Sequence, residues 1–194
     1  MGLICLLILV VAMISSIWPT QEEWFFGLGL LGKDKTADGY FANGSSNVEV
    51  GALNSWFIYV YNHMGTEQNV NIKAKLLSSA MELPDDQKHQ PSNVTAFAEV
   101  PLSLSVNETV VIPFFWKIMK VERQNNSNII DSIVVNEKQF KVGISDSASS
   151  FVLVFELWVQ NNDIGEDMFG WESRNGLSSA SINMGFKVFS NATN

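Results

Sequence analysis

A two-residue alternation of apolar and polar side chains is the feature that most constrains how this chain folds. Over residues 70–78 (VNIKAKLLS), Val70, Ile72 and Leu76 fall on one face and polar side chains fall on the other. Residues 181–189 repeat the pattern. Successive side chains of a β-strand point to opposite faces of its sheet, so the alternation predicts strands with one buried and one solvated face.

Further strand candidates follow at short intervals. Residues 151–159 (FVLVFELWV) are apolar on both faces, which is typical of a central strand. The other candidates are residues 24–31, 47–53, 55–62, 95–102, 108–118, 129–135 and 139–145. Segments rich in Gly, Asn, Asp and Ser separate them. The pattern predicts an all-β fold, an antiparallel β-sandwich, with a closed barrel as the alternative.

Pro101 and Pro113 fall inside two of the predicted strands. A proline has no backbone N–H to donate to a β-ladder, so prolines within sheets lie on edge strands or at bulges. We therefore expect an edge position or a bulge at each of the two prolines.

The first 21 residues form an apolar segment that differs from the rest of the chain. No Asp, Glu, Lys or Arg precedes Glu22. Such a segment suits a membrane helix, but an apolar stretch also begins a cleaved signal peptide. We expect residues 1–21 to form a hydrophobic helix kept as a single-pass membrane anchor, and residues 22–194 to form an extracytoplasmic domain. A cleaved signal, which would make the protein secreted, and a buried helix are the alternatives.

Charge and acceptor sequons both favour an outer-surface protein. With 12 basic and 20 acidic residues, the formal net charge is −8, which does not suit binding to nucleic acid. The N-glycosylation pattern Asn-x-Ser/Thr occurs at Asn43, Asn93, Asn107, Asn125 and Asn191. We expect a glycoprotein, although polar loops alone would also produce such matches.

No constellation of catalytic residues is found in the sequence. His63 and His89 are far apart, and neither belongs to a metal-spaced pair. We expect His63 to bond a backbone carbonyl and His89 to be solvated. The only cysteine is Cys5, and residues 143–147 (GISDS) lack the second glycine of a nucleophile elbow. We therefore expect no enzyme activity and assign no catalytic residue.

Two loop features are candidates for ligand binding. Asn161, Asp163 and Asp167 are oxygen donors that could wrap a calcium ion, although their spacing departs from an EF-hand. A solvated hairpin loop is the alternative there. Trp171 stands in a polar loop and is the candidate for stacking on a sugar or a protein partner. Apart from calcium, no cofactor is expected.

Several short runs, taken in order, resemble those of a known family. They are Leu31-Gly32-Lys33 up to Gly39-Tyr40, the run Trp56–His63, the alternating stretch 70–76, Asn107-Glu108-Thr109 before an aromatic strand, and LWV followed by SINMGFKV. On these motifs, most of residues 24–189 resembles the extracytoplasmic domain of an archaeal membrane-protein family, domain of unknown function 1616 (DUF1616). The resemblance implies an immunoglobulin-like sandwich at the outer face of the membrane and carries over no catalytic residue. Many relatives have several membrane helices, and Phe41 stands where the family usually has proline.

These features predict a non-catalytic cell-surface protein with a structural or protein-interaction role. The N-terminal helix would hold it at the membrane. Its partner would be a protein at the cell surface or in a larger membrane complex, of which this chain would be an accessory subunit. A secreted or surface carbohydrate-binding module is the alternative.

Overall fold

The computed structural model describes residues 23–161, 165–171 and 180–189. This part of the chain contains strands, one short 3-10 turn at Asp86–Lys88 and no α-helix. The strands are β1 (Phe25–Leu31), β2 (Asn47–Glu49), β3 (Asn54–His63), β4 (Gln68–Ser78), β5 (Ala98–Leu104), β6 (Thr109–Gln124), β7 (Ser127–Val135), β8 (Lys138–Asp146), β9 (Ser150–Gln160), β10 (Asp167–Phe169) and β11 (Ser181–Phe189). None of its helical turns is long and apolar enough to cross a membrane. The N-terminal segment 1–21, with its expected helix, lies outside the described residues.

The strands form two sheets. The first sheet has the order β1-β3-β6-β7-β8, and the second has the order β2-β11-β9-β4-β5, with β10 paired to β9. Neighbouring strands are antiparallel, except that β2 runs parallel to β11. The all-β sandwich predicted from the sequence is thus confirmed. The one parallel pair was not anticipated.

A single aromatic core joins the two sheets. Trp56 of β3 and Phe114 of β6 meet Phe155 of β9, with ring centroids 6.3 Å and 4.8 Å apart. Trp116 of β6 meets Phe186 of β11 at 5.1 Å. All five side chains are buried. Burying large rings removes much apolar surface from water, and these contacts fix the two sheets face to face.

Every strand predicted from the sequence is present, but two differ clearly in extent and one further strand was not predicted. β2 covers only Asn47–Glu49, because the chain turns at residues 50–53. β6 continues past the predicted end to Gln124, where its polar residues pair with β7. β10 was not predicted, since three residues carry too little periodicity to show a strand.

Both prolines lie at positions that are paired with a strand on one side only. Pro101 lies in β5, an edge strand of the second sheet, as expected. Pro113 lies in β6, an interior strand, but at a position where β6 pairs with β3 alone, which makes it a local edge position. β7 ends before it reaches Pro113, and Asn136 continues that ladder with its side chain. The Asn136 amide accepts from the N–H of Phe115 at 2.9 Å and donates to the C=O of Pro113 at 2.8 Å. The missing N–H of Pro113 therefore costs no strand pairing.

Asp146 organises the turn between β8 and β9. Its carboxylate accepts hydrogen bonds from the backbone N–H of Ala148 at 2.7 Å and of Ser150 at 3.1 Å. It also accepts from the N–H and the hydroxyl of Ser79, at the end of β4, at 3.1 Å and 3.0 Å. Burial raises the pKa of Asp146, but these hydrogen bonds to the charged form outweigh it and hold the pKa below its ordinary value.

We expect Asp146 to make the fold acid-sensitive. Because its pKa is lower in the folded chain than in the unfolded chain, its ionised form stabilises the fold above the unfolded-state pKa of about 3.9. That contribution is lost as the pH falls through the folded-state pKa. Denaturant unfolding of the Asp146→Asn variant between pH 7 and pH 2 should show a smaller loss of stability in acid than the wild-type chain. An Asp34→Asn variant, altered in an exposed loop, is the control, and equal acid sensitivity of both variants would contradict the assignment.

Candidate functional site

The structure describes two of the three predicted calcium ligands. Asn161 and Asp167 are described, whereas Asp163 lies outside the described residues. The carboxylate of Asp167 lies 3.6 Å from the amine of Lys73, which itself lies over the ring of Trp158 at 3.8 Å. Within residues 23–161, 165–171 and 180–189, no group of three His, Cys, Asp or Glu side chains could hold a metal. The calcium site stays a prediction, and the amine of Lys73 already lies next to the carboxylate of Asp167, one of the predicted ligands.

Trp171 is not the exposed aromatic side chain that its polar surroundings suggested. Its side chain is 6% exposed and packs edge-to-face on Phe26 of β1, with ring centroids 5.2 Å apart. The backbone bridge between Gly170 and Trp158 brings this segment back against the sandwich. A sugar or a partner cannot stack on the ring in this position, so the expectation of an exposed ring at Trp171 is corrected.

The described sequons all lie in exposed connections. Asn43, Asn93, Asn107 and Asn125 are exposed and lie outside the strands, and Asn191 falls outside the described residues. The side-chain carbonyl of Asn107 lies 2.8 Å from Nδ1 of His63 and accepts from the hydroxyl of Tyr61 at 3.2 Å. These positions are sterically open to an attached glycan. Occupancy stays a prediction.

Each of the two histidines contacts another segment of the chain. His63 contacts the side-chain carbonyl of Asn107, where a backbone carbonyl was expected. His89 was expected to be solvated, but it is half-buried, with Nδ1 3.4 Å from the backbone C=O of Phe169. Each histidine thus joins parts of the chain that are distant in sequence.

The candidate binding site is the outward surface of three neighbouring strands, which we call the outer aromatic face. Side chains there alternate with the buried ones of β1, β3 and β6 and stand in register across the strands. Its residues are Phe25, Gly27, Gly29 and Leu31 of β1, Ser55, Phe57, Tyr59, Tyr61 and His63 of β3, and Thr109, Val111, Pro113 and Phe115 of β6. None of these residues is Asp, Glu, Lys or Arg.

Aromatic rings cover much of this face. Phe57 and Phe115 pack edge-to-face at 5.7 Å, and Phe25 and Tyr61 do so at 5.9 Å. Tyr59 lies over Gly27, where an added Cβ would come within 3.2 Å of its ring. The two glycines of β1 thus make room for the tyrosines, and the rings lie across the sheet.

The outer aromatic face is open to solvent on its two outer strands, β1 and β6. Phe25, Val111 and Phe115 are 41%, 38% and 39% exposed. Lys35 marks one rim, with its amine 5.2 Å above the ring of Phe57. A contiguous exposed apolar surface is unusual on a soluble domain, which makes this face the candidate for a binding surface. The sequence carries a weak signal for this exposed face, because the residues of β3 are largely apolar on its outward side as well as on its buried side.

Part of the opposite surface of the sandwich is covered by the chain itself. Residues 79–97 contact Lys75 of β4, Glu156 of β9 and Ser181 of β11, and they bury outward positions that a sandwich normally exposes. Lys75 and Glu156 lie beneath this segment, 2.8 Å apart, with side-chain exposures of 6% and 0%. The Glu156 carboxylate also accepts from the N–H and the hydroxyl of Ser92, at 2.8 Å and 2.7 Å, and from the indole N–H of Trp158 at 3.0 Å. The Lys75 amine donates to the C=O of Ser92 at 2.9 Å.

This buried ion pair was missed by the sequence analysis, which placed Lys75 on a solvated face. A signal was available in Glu156, the only charged residue in an otherwise apolar run. A buried carboxylate needs a paired charge and hydrogen-bond donors, so a lone glutamate in a central strand indicates a hidden cation. Because all the groups of the cluster have partners within the fold, the cluster fastens residues 79–97 to the sheet.

No protein-family model matches the chain, and no curated protein matches it. Among solved structures, the chain is similar to the CARDB domain of the PF1109 protein from Pyrococcus furiosus, crystallised in complex with di-metal ions. The identity is 11%, the match covers 87% of this chain and 96% of that chain, and the TM-score is 0.43. A likeness this distant transfers no ligand and no residue role.

Proposed function

We propose that the protein is a non-catalytic component of the cell surface that binds a protein partner through its outer aromatic face. Residues 1–21 hold the chain at a membrane, and the sandwich lies on the extracytoplasmic side. The observation that carries the proposal is the lack of any Asp, Glu, Lys or Arg among the strand residues that form an open face, in a chain whose net charge is −8. Aromatic side chains are enriched, and charged ones depleted, at the centres of protein interfaces.

The polar groups of the fold support a binding role over catalysis. Glu156 and Lys75 are engaged with each other and with Ser92, so they have no free position from which to reach a substrate. His63 and His89 contact different segments. The N-linked glycans that we propose at Asn43, Asn93, Asn107, Asn125 and Asn191 would increase solubility and suit a surface location.

We also propose that the sandwich is of the immunoglobulin-like type and that the chain is a relative of the DUF1616 family. The run Trp56–His63 forms β3, and a turn leads from it into the alternating strand β4, which is the order that the resemblance implies. Asn107 precedes β6, the strand that carries Phe114 and Phe115. The relationship would be tested by aligning homologues collected from archaeal membrane proteins, which should share apolar residues at the buried positions of β3 and β6.

A carboxylate placed on the outer aromatic face should abolish partner binding. Val111 is an exposed residue of this face and lies opposite Tyr59 in the β3–β6 pairing, so Val111→Glu would force an uncompensated charge into a desolvated interface. We expect at least about a tenfold loss of partner retained on gentle detergent extraction, measured by quantitative cross-linking. The control is Asn183→Glu, at an exposed position of β11 on the other sheet. Equal retention by both variants would refute the assignment of this face.

A second candidate function is binding of a neutral carbohydrate to the same face. The observation that favours it is the Tyr59 ring lying across Gly27 and Gly29, since a flat ring can stack on the apolar face of a sugar. Titration calorimetry of the full chain with neutral oligosaccharides tests it. Heat of binding that disappears in Tyr59→Ala would favour the carbohydrate, and no binding would leave the protein partner as the function.

A further inference from the structure

The edges of the two sheets differ in how well they are protected. β5 carries Pro101, β8 carries Lys138 and Lys141 with a bulge at the positive-φ Gly143, and β2 is only three residues long. Proline, lysine, bulges and short length are the usual devices that stop an edge strand from pairing with another chain. β1 (FFGLGLL) has none of them, since it is uncharged and pairs with β3 without interruption from Phe25 to Leu31.

The backbone of β1 presents hydrogen-bonding groups to its free side. The N–H and C=O of Asn62 in β3 both bond residues at the start of β6, Glu108 and Asn107. The N–H and C=O of Asn62 therefore point away from β1. Since Phe26 is the register partner of Asn62, and backbone groups alternate sides along a strand, the N–H and C=O groups of Phe26 and Leu28 point away from β3. They form no hydrogen bond with the rest of the described chain. The hydroxyl of Tyr40 bonds the next such carbonyl, that of Leu30, at 3.1 Å.

We propose that the edge of β1, which no other strand of the described residues pairs, receives an extended segment of the protein partner, which adds one strand to the first sheet. This inference rests on the proposed function and names its recognition mode. Donors and acceptors repeated at two-residue spacing match an extended polypeptide backbone and no other common ligand. Gly27 and Gly29 border the edge on the outer aromatic face, so partner side chains beside them reach the Tyr59 ring. The partner segment is therefore uncharged, about five residues long, and apolar at alternate positions.

The bond from Tyr40 disfavours a second copy of this chain as the occupant. Two antiparallel copies of β1 centred on Leu28 would pair Phe26 of one with Leu30 of the other. The Leu30 carbonyl that such a pair needs already accepts from Tyr40. Pairing of identical copies in this register would compete with the Tyr40 contact, whereas a different chain can pair along Phe26–Gly29 and leave it in place.

A lysine placed on the edge strand tests the proposal. Gly29→Lys adds the protective charge that the other edges carry, and its Cβ would meet the Tyr59 side chain at an ordinary 3.7 Å. The matched control is Gly185→Lys in β11, which is flanked by β2 and β9 and whose Cβ would lie 3.9 Å from its nearest neighbour. We expect Gly29→Lys to lose at least about tenfold of the partner cross-linked in native membranes, and Gly185→Lys to retain it.

Residue-resolved amide exchange on the full chain provides the second measurement. The amides of Phe26 and Leu28 should exchange quickly in the purified chain and slowly in the complex, whereas those of Gly27 and Gly29 should be slow in both. Fast exchange of Phe26 and Leu28 in an intact complex would overturn the strand-addition proposal and leave the proposed function standing. Slow exchange in the purified monomer, or self-association lost in Gly29→Lys, would also overturn it. If the wild-type chain forms no complex at all, the proposed function itself fails.

Discussion

Replacement of Glu156 by alanine is expected to lower the free energy of unfolding by about 3–5 kcal/mol, because it leaves Lys75 as an unpaired buried charge. The side chain of Lys75 is 6% exposed and cannot reach bulk water while residues 79–97 stay in place. The variant also removes the acceptor for the N–H and hydroxyl of Ser92 and for the indole N–H of Trp158. Denaturant unfolding of the full chain in detergent, followed by tryptophan fluorescence, gives the value.

The matched control for this variant is Glu99→Ala, since Glu99 is an exposed glutamate on the neighbouring strand β5 that accepts one hydrogen bond from Asn71. We expect it to cost less than about 1 kcal/mol. The double variant Lys75→Met with Glu156→Leu removes both charges, and it should recover most of the stability lost in Glu156→Ala. An effect of Glu156→Ala no larger than that of Glu99→Ala would show that the pair contributes nothing to the fold.

Asn62→Ala should have the second largest effect, a loss of about 3 kcal/mol, because several backbone groups lose their partner at once. The buried Asn62 amide donates to the C=O groups of Thr66, Leu104 and Ser105 at 2.9–3.0 Å. Its side-chain carbonyl accepts from the N–H of Met64 at 2.9 Å. One side chain thereby holds the β3–β4 turn against the β5–β6 turn.

The comparison for Asn62→Ala is Asn69→Ala on β4, where the side chain is exposed. Substitutions at such surface sites usually change stability by no more than about 0.5 kcal/mol. Thermal unfolding should place Asn62→Ala well below both Asn69→Ala and the wild-type chain. Faster amide exchange at residues 64–67 and 105–108 should accompany the loss, and wild-type exchange there would argue against the role of Asn62 as a clamp.

The strands were predictable because their signal is local. The burial of a residue such as Ile72 can be inferred from the polarity of its sequence neighbours. The inference works for each strand separately, because it does not depend on which strand it pairs with. The order of strands in each sheet was not predictable, since it depends on contacts between residues far apart in the chain. β10 and the parallel pairing of β2 with β11 belong to this second kind.

The candidate site escaped prediction for the same reason. Trp171 seemed exposed because its sequence neighbours are polar, yet its contact is Phe26, which lies almost at the other end of the chain. The outer aromatic face is assembled from three separate strands, and Lys75 becomes buried only because a distant segment crosses above it. The polarity of sequence neighbours therefore predicts neither the outer aromatic face nor the burial of Trp171 and Lys75.

The segment of residues 79–97, fastened through Lys75 and Glu156, makes the two broad sides of the sandwich unequal. It covers part of the outward side of the second sheet, whereas the β1 edge and the outer aromatic face both belong to the first sheet. On the function proposed above, one sandwich would therefore present one surface to one partner. A complex formed through that surface alone would have a fixed stoichiometry, whereas a sandwich with equivalent surfaces on both sides could extend an assembly.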